Sequence, residues 1–256
     1  MEAMLAPVDE PLIAALGLDA PLRIVDVGCG GGATAAEVFR RAPAGSEVHG
    51  FDISPRLVEL ARERIRPGDV SLRFEVADMA VTAPHAPYER MLSRFGVMFF
   101  SDPASAFANL ARWLAPEGRF AFAVWRSVAE NPWFAVVRDV VARTVDLTPT
   151  VHDTPGPFRY ADASALTKLL EKAGLTALDV RAARPTLPIG GGLPADAAAR
   201  FALSSFSSFG EALARVGGDA VDQARAELEN VFARHEHGGV VELDAAVHVV
   251  TGARPR

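Results

Sequence analysis

The chain has little of several features that particular classes of protein need. Cys29 is the single cysteine among 256 residues, which excludes an internal disulfide and fits a reducing cytoplasm. No apolar run is long enough to span a bilayer, and the chain does not open with the basic and apolar pattern of a signal peptide. The sequence therefore predicts a cytoplasmic protein without a membrane segment.

Basic residues are also in the minority. The chain has 26 Lys and Arg residues and 32 Asp and Glu residues, so its net charge is −6 at pH 7. A general nucleic-acid binder needs a basic face, so nucleic acid is not expected as a partner. Internal repeats and low-complexity tails are absent as well. Half of the residues are hydrophobic, which suits one α/β domain with a sizeable core.

The most informative segment is IVDVGCGGGA, residues 24–33. A short apolar run rich in β-branched residues predicts a buried strand. It is followed by a cluster of glycines and a helix-compatible stretch. This order is typical of the first unit of an open α/β sheet, which binds a nucleotide-like ligand at its carboxyl edge. The glycines permit positive φ and let a ligand approach the backbone.

Two classes of ligand fit this turn. Gly28, Gly30 and Ala33 match the G-x-G-x-x-G/A fingerprint of dinucleotide sites, whereas Gly28, Gly30 and Gly32 match the D-x-G-x-G-x-G pattern of S-adenosylmethionine sites. The glycines alone do not decide between them, and the acids that follow the next strands carry more information.

Three acids lie at informative places. Asp52 ends the second predicted strand, where a carboxylate can accept hydrogen bonds from both ribose hydroxyls in either class of ligand. Asp78 ends the third strand beside Met79, a pair that suits an adenine amino group and its ring. Asp26, in the first strand, suits an amine-bearing cation better than a pyrophosphate. It is equally well explained as an acid that hydrogen-bonds the glycine turn.

The chain resembles the class I S-adenosylmethionine-dependent methyltransferases, in five ordered blocks that cover about residues 22–180. Within that family it is most similar to bacterial small-molecule methyltransferases with an ENPW segment, here residues 130–133. The matching blocks are VDVGCGGG (25–32), GFDISP (50–55), VADM (76–79), SRFGVMFFSDP (93–103) and LAPEGRFAFAVWR (114–126).

The resemblance implies a Rossmann-like, seven-stranded sheet with helices on both faces and a helical cap inserted before the last strand. Residues 1–256 would form a single methyltransferase domain with cap insertions at about 127–160 and 190–239. S-adenosylmethionine would be the cofactor. The residues expected to bind it are Asp26, Gly28, Gly30, Gly32, Asp52, Ile53, Asp78, Met79 and Arg94.

The acceptor is expected to be a small, largely apolar molecule, and O-, N- and C-methylation are all compatible with the sequence. A general base need not exist in this chemistry. His85 and His152 lie in irregular segments and are the candidates, although a solvated loop histidine explains either one. No metal is predicted, and a homodimer is left open. The expected substrate pocket consists of Phe95, Met98, Trp125, Trp133, Phe201 and Phe206.

Two other functions remain compatible with the same residues. A protein of this fold can bind S-adenosylmethionine without transferring the methyl group, as a cyclase-like or accessory protein would. An NAD-dependent oxidoreductase could use the same glycine turn, although the Asp78–Met79 pair and the order of the five blocks argue against it.

Periodicity and capping residues predict the elements around these motifs. Ser54 is expected to cap a helix over 55–66. The alternation from Val241 to Val249 predicts one final strand. The other expected helices cover 7–18, 32–41, 103–114, 131–146, 161–173, 193–215 and 219–234.

Overall fold

The computed structural model describes residues 1–66, 69–83, 86–147 and 154–256. Its strands are β1 (Arg23–Val27), β2 (Glu47–Asp52), β3 (Leu72–Val76), β4 (Tyr88–Arg94), β5 (Leu114–Trp125), β6 (Thr176–Ala183), β7 (Thr186–Pro188), β8 (Glu236–His237), β9 (Val240–Asp244) and β10 (Val247–Ala253). Its helices are α1 (Glu2–Leu5), α2 (Asp9–Ala14), α3 (Ala33–Arg41), α4 (Pro55–Arg62), α5 (Pro103–Trp113), α6 (Pro132–Val141), α7 (Ala163–Lys172), α8 (Ala195–Ser205), α9 (Ser207–Val216) and α10 (Ala220–Phe232). None of these helices is both long and apolar enough to cross a membrane.

Seven strands form one sheet in the order β3-β2-β1-β4-β5-β10-β6. The neighbours among β1 to β5 pair in parallel, and β10 runs antiparallel to both β5 and β6. The predicted Rossmann-like methyltransferase sheet is therefore confirmed. The strand order reverses between β1 and β4, and ligands of open α/β sheets bind at the carboxyl ends of the strands that flank such a reversal.

Local chemistry explains where the helices around this sheet begin. The hydroxyl of Ser54 accepts a hydrogen bond from the backbone N–H of Leu57 at 3.4 Å, and Pro55 occupies the first turn of α4, as the sequence predicts. Asp102 caps α5 in the same way, since its carboxylate accepts from the N–H of Ser105 at 3.2 Å. Such caps satisfy backbone donors that have no partner inside the helix.

The described chain divides into two compact units built from interleaved segments. One unit contains the seven-stranded sheet and consists of residues 8–126, 153–183 and 247–256. The other consists of residues 1–7, 127–152 and 184–246. It holds α6, the three helices α8 to α10, and a small sheet in the order β7-β9-β8. A single domain with two cap insertions remains a prediction, as does the covering of the sheet edge by the cap.

The C-terminal part of the chain differs from the predicted elements. The expected final strand over 241–249 is two strands in two different sheets, because the pairing of β9 ends at Asp244 and that of β10 begins at Val247. Alternating apolar residues continue through the break, so periodicity could not detect it. The expected helix over 193–215 is also two helices, which meet at the non-helical Phe206.

Asn131 is the buried polar centre of the second unit. Its amide nitrogen donates to the carbonyls of Ser127 at 2.9 Å and Ala246 at 3.2 Å. Its amide oxygen accepts from the N–H of Ala246 at 2.9 Å and from the indole N–H of Trp133 at 3.0 Å. Asn131 thus joins two segments that are more than a hundred residues apart in sequence. This gives two of the residues in the ENPW segment a structural role.

We predict that Asn131→Ala lowers the free energy of unfolding by about 3 kcal/mol, since it leaves several buried backbone and indole groups without partners. Urea unfolding followed by circular dichroism would measure this. Ser127→Ala is the matched control. It removes one half-exposed hydroxyl contact to Glu130, and we expect it to cost less than about 1 kcal/mol. An unfolding midpoint of Asn131→Ala equal to that of the wild type would contradict the assignment.

Candidate functional site

A cavity of about 430 Å³ lies at the carboxyl ends of β1 to β4 in the sheet unit. Each of these strands contributes wall residues where it ends, and a short segment after β4 closes one side. The strand ends contribute residues 27–28, 51–53, 77–80 and 94–96, and the closing segment contributes residues 99–101. Four strands separated in sequence thus deliver their terminal residues to one place, as the reversal of strand order requires.

The floor of the cavity is a close approach of two backbone turns. A Cβ atom on Gly28 would lie 2.9 Å from the Cα of Gly96, and one on Gly96 would lie 2.6 Å from the carbonyl oxygen of Val27. Gly28 also has a φ of +70°, a conformation that L-residues rarely adopt. The backbone N–H of Gly28 donates to the carbonyl of Phe51 at 2.8 Å. Glycine at both positions is a requirement of packing.

The other two glycines of the predicted turn have different surroundings. A Cβ atom on Gly32 would lie 2.7 Å from the ring of Phe74, so this glycine is needed for packing between α3 and the sheet. A Cβ atom on Gly30 would meet no atom within 4 Å, although its φ is +55°. Neither residue is among those that line the cavity, and their roles toward a cofactor remain predictions.

Asp52 lines the cavity and is fixed by the backbone. One carboxylate oxygen accepts from the N–H of Gly30 at 2.9 Å, and the other accepts from the N–H of Ser54 at 2.9 Å. Each oxygen of a carboxylate can accept a second hydrogen bond. Asp52 therefore presents two oriented acceptors to the cavity, and it also supports the local fold.

Ile53, Asp78 and Met79 line the same cavity in different ways. The side chain of Ile53 is 68% exposed, which is unusual for a large apolar residue and favours contact with a ligand. Asp78 is exposed, and its carboxylate accepts from the N–H of Ala80 at 2.9 Å. Met79 is buried, and its carbonyl accepts from the amide of Asn109 at 2.9 Å. The structure thus brings these three predicted residues together with Asp52.

Arg94, at the end of β4, lines the cavity and contacts an acid that sequence reasoning missed. Its guanidinium lies 3.1 Å from both carboxylate oxygens of Asp9, the first residue of α2. Asp9 is only 5% exposed, and it also accepts from the hydroxyl of Thr34 at 3.0 Å. No local motif surrounds Asp9 in the sequence, so only the fold reveals the pair.

Asp26 is buried in β1, directly before the glycine turn, and does not itself line the cavity. It is 1% exposed, and among the described residues its Oδ2 atom has no hydrogen-bond partner. Burial raises the pKa of Asp26 to about 7, while the charge of Arg94 acts in the opposite direction and the charges of Asp9 and Asp52 raise it further. An uncompensated buried carboxylate of this kind is typical of functional sites.

Aromatic rings form another part of the cavity lining. Phe95 has a φ of +69° and stacks on Trp125, with ring centroids 4.0 Å apart and planes 11° from parallel. A bulky residue in this region costs on the order of 1–3 kcal/mol, and such strain is concentrated at functional sites. Phe99 is 55% exposed and, with Phe100 and Ser101, completes the wall. Sequence analysis did not single out these last three residues.

The remaining predicted substrate residues do not line this cavity. Met98 is fully buried, and Trp125 supports Phe95 from behind. Trp133, Phe201 and Phe206 belong to the other unit, where the rings of Trp133 and Phe206 lie 5.6 Å apart. Contact of these three residues with an acceptor remains a prediction.

The base candidates His85 and His152 lie outside the described residues. In the described part of the chain, no His, Cys, Asp and Glu side chains form a group that could hold a metal ion.

We predict that Asp26 makes the stability of the protein fall as the pH rises from 4 to 7. The folded protein keeps a proton on Asp26 up to a pH of about 7, whereas the unfolded chain releases it near pH 4. The free energy of unfolding should therefore decrease across this window, by on the order of 4 kcal/mol for a fully buried group. Asp26→Asn should remove this part of the slope.

Urea unfolding at a series of pH values would measure both profiles. Asp179→Asn is the control, because it removes a carboxylate that is 53% exposed. Equal slopes for the wild type and Asp26→Asn would show that Asp26 is ionised in the folded protein.

Comparisons with known proteins agree with this geometry. Residues 24–118 match the methyltransferase-domain family model. The demethylmenaquinone methyltransferase of Deinococcus radiodurans is 32% identical over 148 residues, which are 57% of this chain and 61% of that protein. The trans-aconitate 2-methyltransferase of Methylobacterium nodulans is 31% identical over 165 residues, 64% of this chain and 62% of that protein. The chain thus spans about three fifths of the length of these relatives.

The fold is shared more widely than the sequence. A protein of Bacillus halodurans C-125 assigned as a methyltransferase superposes with a TM-score of 0.60 at 19% identity, over 97% of this chain and 99% of that one. The resemblance predicted from the five sequence blocks is thereby confirmed: residues 24–118 match a methyltransferase domain, methyltransferases are among the similar proteins, and the fold is that of class I S-adenosylmethionine-dependent methyltransferases.

Proposed function

We propose that this protein transfers a methyl group from S-adenosylmethionine to a small, largely apolar acceptor. The observation that carries the proposal is the cavity at the reversal of strand order, whose lining combines Asp52, Asp78 and the exposed Ile53 with the four phenylalanines Phe51, Phe95, Phe99 and Phe100. The acids suit a ligand with hydroxyl and amino groups, and the aromatic rings suit an apolar ligand.

The residues present fit S-adenosylmethionine. The two fixed oxygens of Asp52 would accept from the ribose hydroxyls, and Asp78 would accept from the adenine amino group, whose ring would contact Ile53. The unpartnered oxygen of Asp26 is suited to a cationic amine, and the guanidinium of Arg94 to a carboxylate. The open space at Gly30 leaves room for a ligand at the backbone.

The chemistry needs alignment more than it needs a reactive side chain. S-adenosylmethionine supplies a methyl group on a sulfonium, and the acceptor atom must approach opposite the sulfur. Holding two reactants in such an orientation can lower a barrier by about 7–11 kcal/mol. The rigid Phe95–Trp125 stack and the exposed ring of Phe99 would hold an apolar acceptor and exclude water.

The aromatic wall also favours one acceptor class over another. Demethylmenaquinone, which names one relative, is a quinone with apolar character, whereas trans-aconitate carries several carboxylates. Among the described residues that line this cavity, Arg94 is the one basic residue, and its guanidinium already forms an ion pair with Asp9. An apolar ring system therefore suits the cavity better than a polyanion does.

Asp52→Ala and Asp78→Ala test the cofactor assignment. We predict that each weakens S-adenosylmethionine binding at least about tenfold, because a hydrogen bond to a charged group contributes about 1.5–3 kcal/mol. Asp52→Ala should also lower the free energy of unfolding by about 1–2 kcal/mol, because two backbone amides lose their acceptor. The exposed Asp78 should have almost no effect on stability. Calorimetric titration and urea unfolding would measure these changes, and unchanged dissociation constants in both variants would overturn the assignment.

Titration of the wild-type protein with NAD, and an assay for S-adenosylhomocysteine, separate the alternatives. Binding of NAD and not of S-adenosylmethionine would favour the oxidoreductase. Tight binding of S-adenosylmethionine without S-adenosylhomocysteine formation, across phenolic, quinol and amine acceptors, would favour a protein that binds the donor without transferring its methyl group.

Gly30→Ala tests the glycine turn without disturbing its packing. The new methyl group meets no protein atom, so the fold should survive with a strain of about 1 kcal/mol from the positive φ. We predict at least about a tenfold loss of S-adenosylmethionine affinity, because the methyl group would occupy space left for the ligand. Gly174→Ala is the matched control, since Gly174 has a φ of +81° and equally open space. If both variants bound the cofactor like the wild type, the turn would not hold it.

A further inference from the structure

Asp9 is a buried acid that contacts one residue of the cavity wall, Arg94. It begins α2, and its carboxylate receives the guanidinium of Arg94 at 3.1 Å and the hydroxyl of Thr34 at 3.0 Å. Burying a carboxylate is unfavourable unless it is paired. Helix α2 therefore contributes an acid that fixes one side chain of the cavity wall, and it does so from a segment outside the family match at residues 24–118.

Arg94 has a second acid within its electrostatic reach. Its charge acts on Asp26 more strongly than that of any other charged residue. Nevertheless, among the described residues no group donates a hydrogen bond to Oδ2 of Asp26. Leu92 is the strand partner of Asp26, and Arg94 follows it by two residues on the same face of β4, so the guanidinium would be expected to pair with either acid. Here the ion pair is with Asp9.

We propose that Asp9 is a positioning residue that holds Arg94 at the cavity wall and away from Asp26, so that Oδ2 of the buried Asp26 carboxylate stays without a partner in the protein and can pair with the amine of the methyl donor when the donor binds. This inference rests on the proposed function, because the amine belongs to the methionine portion of S-adenosylmethionine. It assigns Asp9, which touches neither the ligand nor the reacting atoms, a role that is exerted through Arg94.

The charge of Asp9 is the property that matters in this arrangement. The Asp9→Asn side chain has nearly the same shape as that of the wild type, and its amide oxygen can still accept a hydrogen bond from the hydroxyl of Thr34. However, an amide binds a guanidinium much less strongly than a carboxylate does. Arg94 would then turn to Asp26 and occupy the place intended for the amine. The expected result is a loss of affinity for any ligand that carries the methionine amine and carboxylate, and for no other.

Calorimetric titration of Asp9→Asn with two ligands tests this directly. S-adenosylmethionine carries the amino acid portion, and 5′-methylthioadenosine lacks it but shares the adenosine. We predict that S-adenosylmethionine binds at least about tenfold more weakly to Asp9→Asn than to the wild type, whereas the affinity for methylthioadenosine changes less than about twofold. A merely structural role of Asp9 would weaken both ligands equally.

A double-mutant cycle tests whether Asp9 acts through Arg94. In an Arg94→Met background, adding Asp9→Asn should change S-adenosylmethionine affinity less than about twofold, because the group that Asp9 positions is gone. Thr34→Val is the control, since it removes the other partner of Asp9 and leaves the ion pair. If Asp9→Asn does not fold, Asp9→Ser also removes the charge and should give the same contrast between the two ligands.

The outcomes separate this inference from the proposed function. No binding of S-adenosylmethionine to the wild type would overturn the proposed function. Binding to the wild type with an equal affinity in Asp9→Asn would overturn the role of Asp9 alone. So would an equal loss for both ligands, or a full additional loss in the Arg94→Met background.

Discussion

The close approach of Gly28 and Gly96 is the constraint on which the site depends. The turns after β1 and β4 meet where the strand order reverses, and a single Cβ atom at either glycine would collide with the backbone of the other turn. Because these turns meet so closely, the ends of β1 and β4 form a continuous floor. The residues that follow each strand then diverge from this floor, which creates the cavity. Packing thus requires at Gly28 the same residue type that a ligand turn requires.

The electrostatics of the site depend on this floor. Asp26 lies beneath it and is excluded from water, and its charge is opposed by a single guanidinium that another acid already holds. Asp26 and the two acids that act on it, Asp9 and Asp52, therefore outnumber the one cation that acts on it, Arg94, and an added cation would relieve the imbalance. Burial disfavours the ionised form of a carboxylate that has no cationic partner, which raises its pKa. A cationic ligand that binds beside it stabilises the ionised form, so the same carboxylate favours binding of that ligand. Stability and binding are coupled through the same group.

The sequence was sufficient to predict the parts of the molecule that follow from local chemistry. Strand β1, the glycine turn, the Ser54 cap and the acids after β2 and β3 are all encoded within a few neighbouring residues. Asp9 and Asn131 could not be found in this way, because their partners lie 85 and 115 residues away. The positive φ of Phe95 also had no signal, since nothing in its side chain favours that conformation. The break between β9 and β10 was hidden because the alternation has the same parity on both sides of Ala245–Ala246.

The same break explains how two interleaved units can come from one chain. Trp125 at the end of β5 and Ala183 at the end of β6 both pair with Val247 at the start of β10, so both segments that leave the large sheet begin beside the position where the chain returns to it. Asn131 then bonds to the residues just beyond Trp125 and Val247, which are Ser127 and Ala246. An insertion whose ends are brought together by strand pairing adds little closure entropy of its own. Residues 184–246 can therefore be carried between β6 and β10 without disturbing the register of these strands, and the Asn131 amide joins the end of this segment to the start of the segment that follows β5.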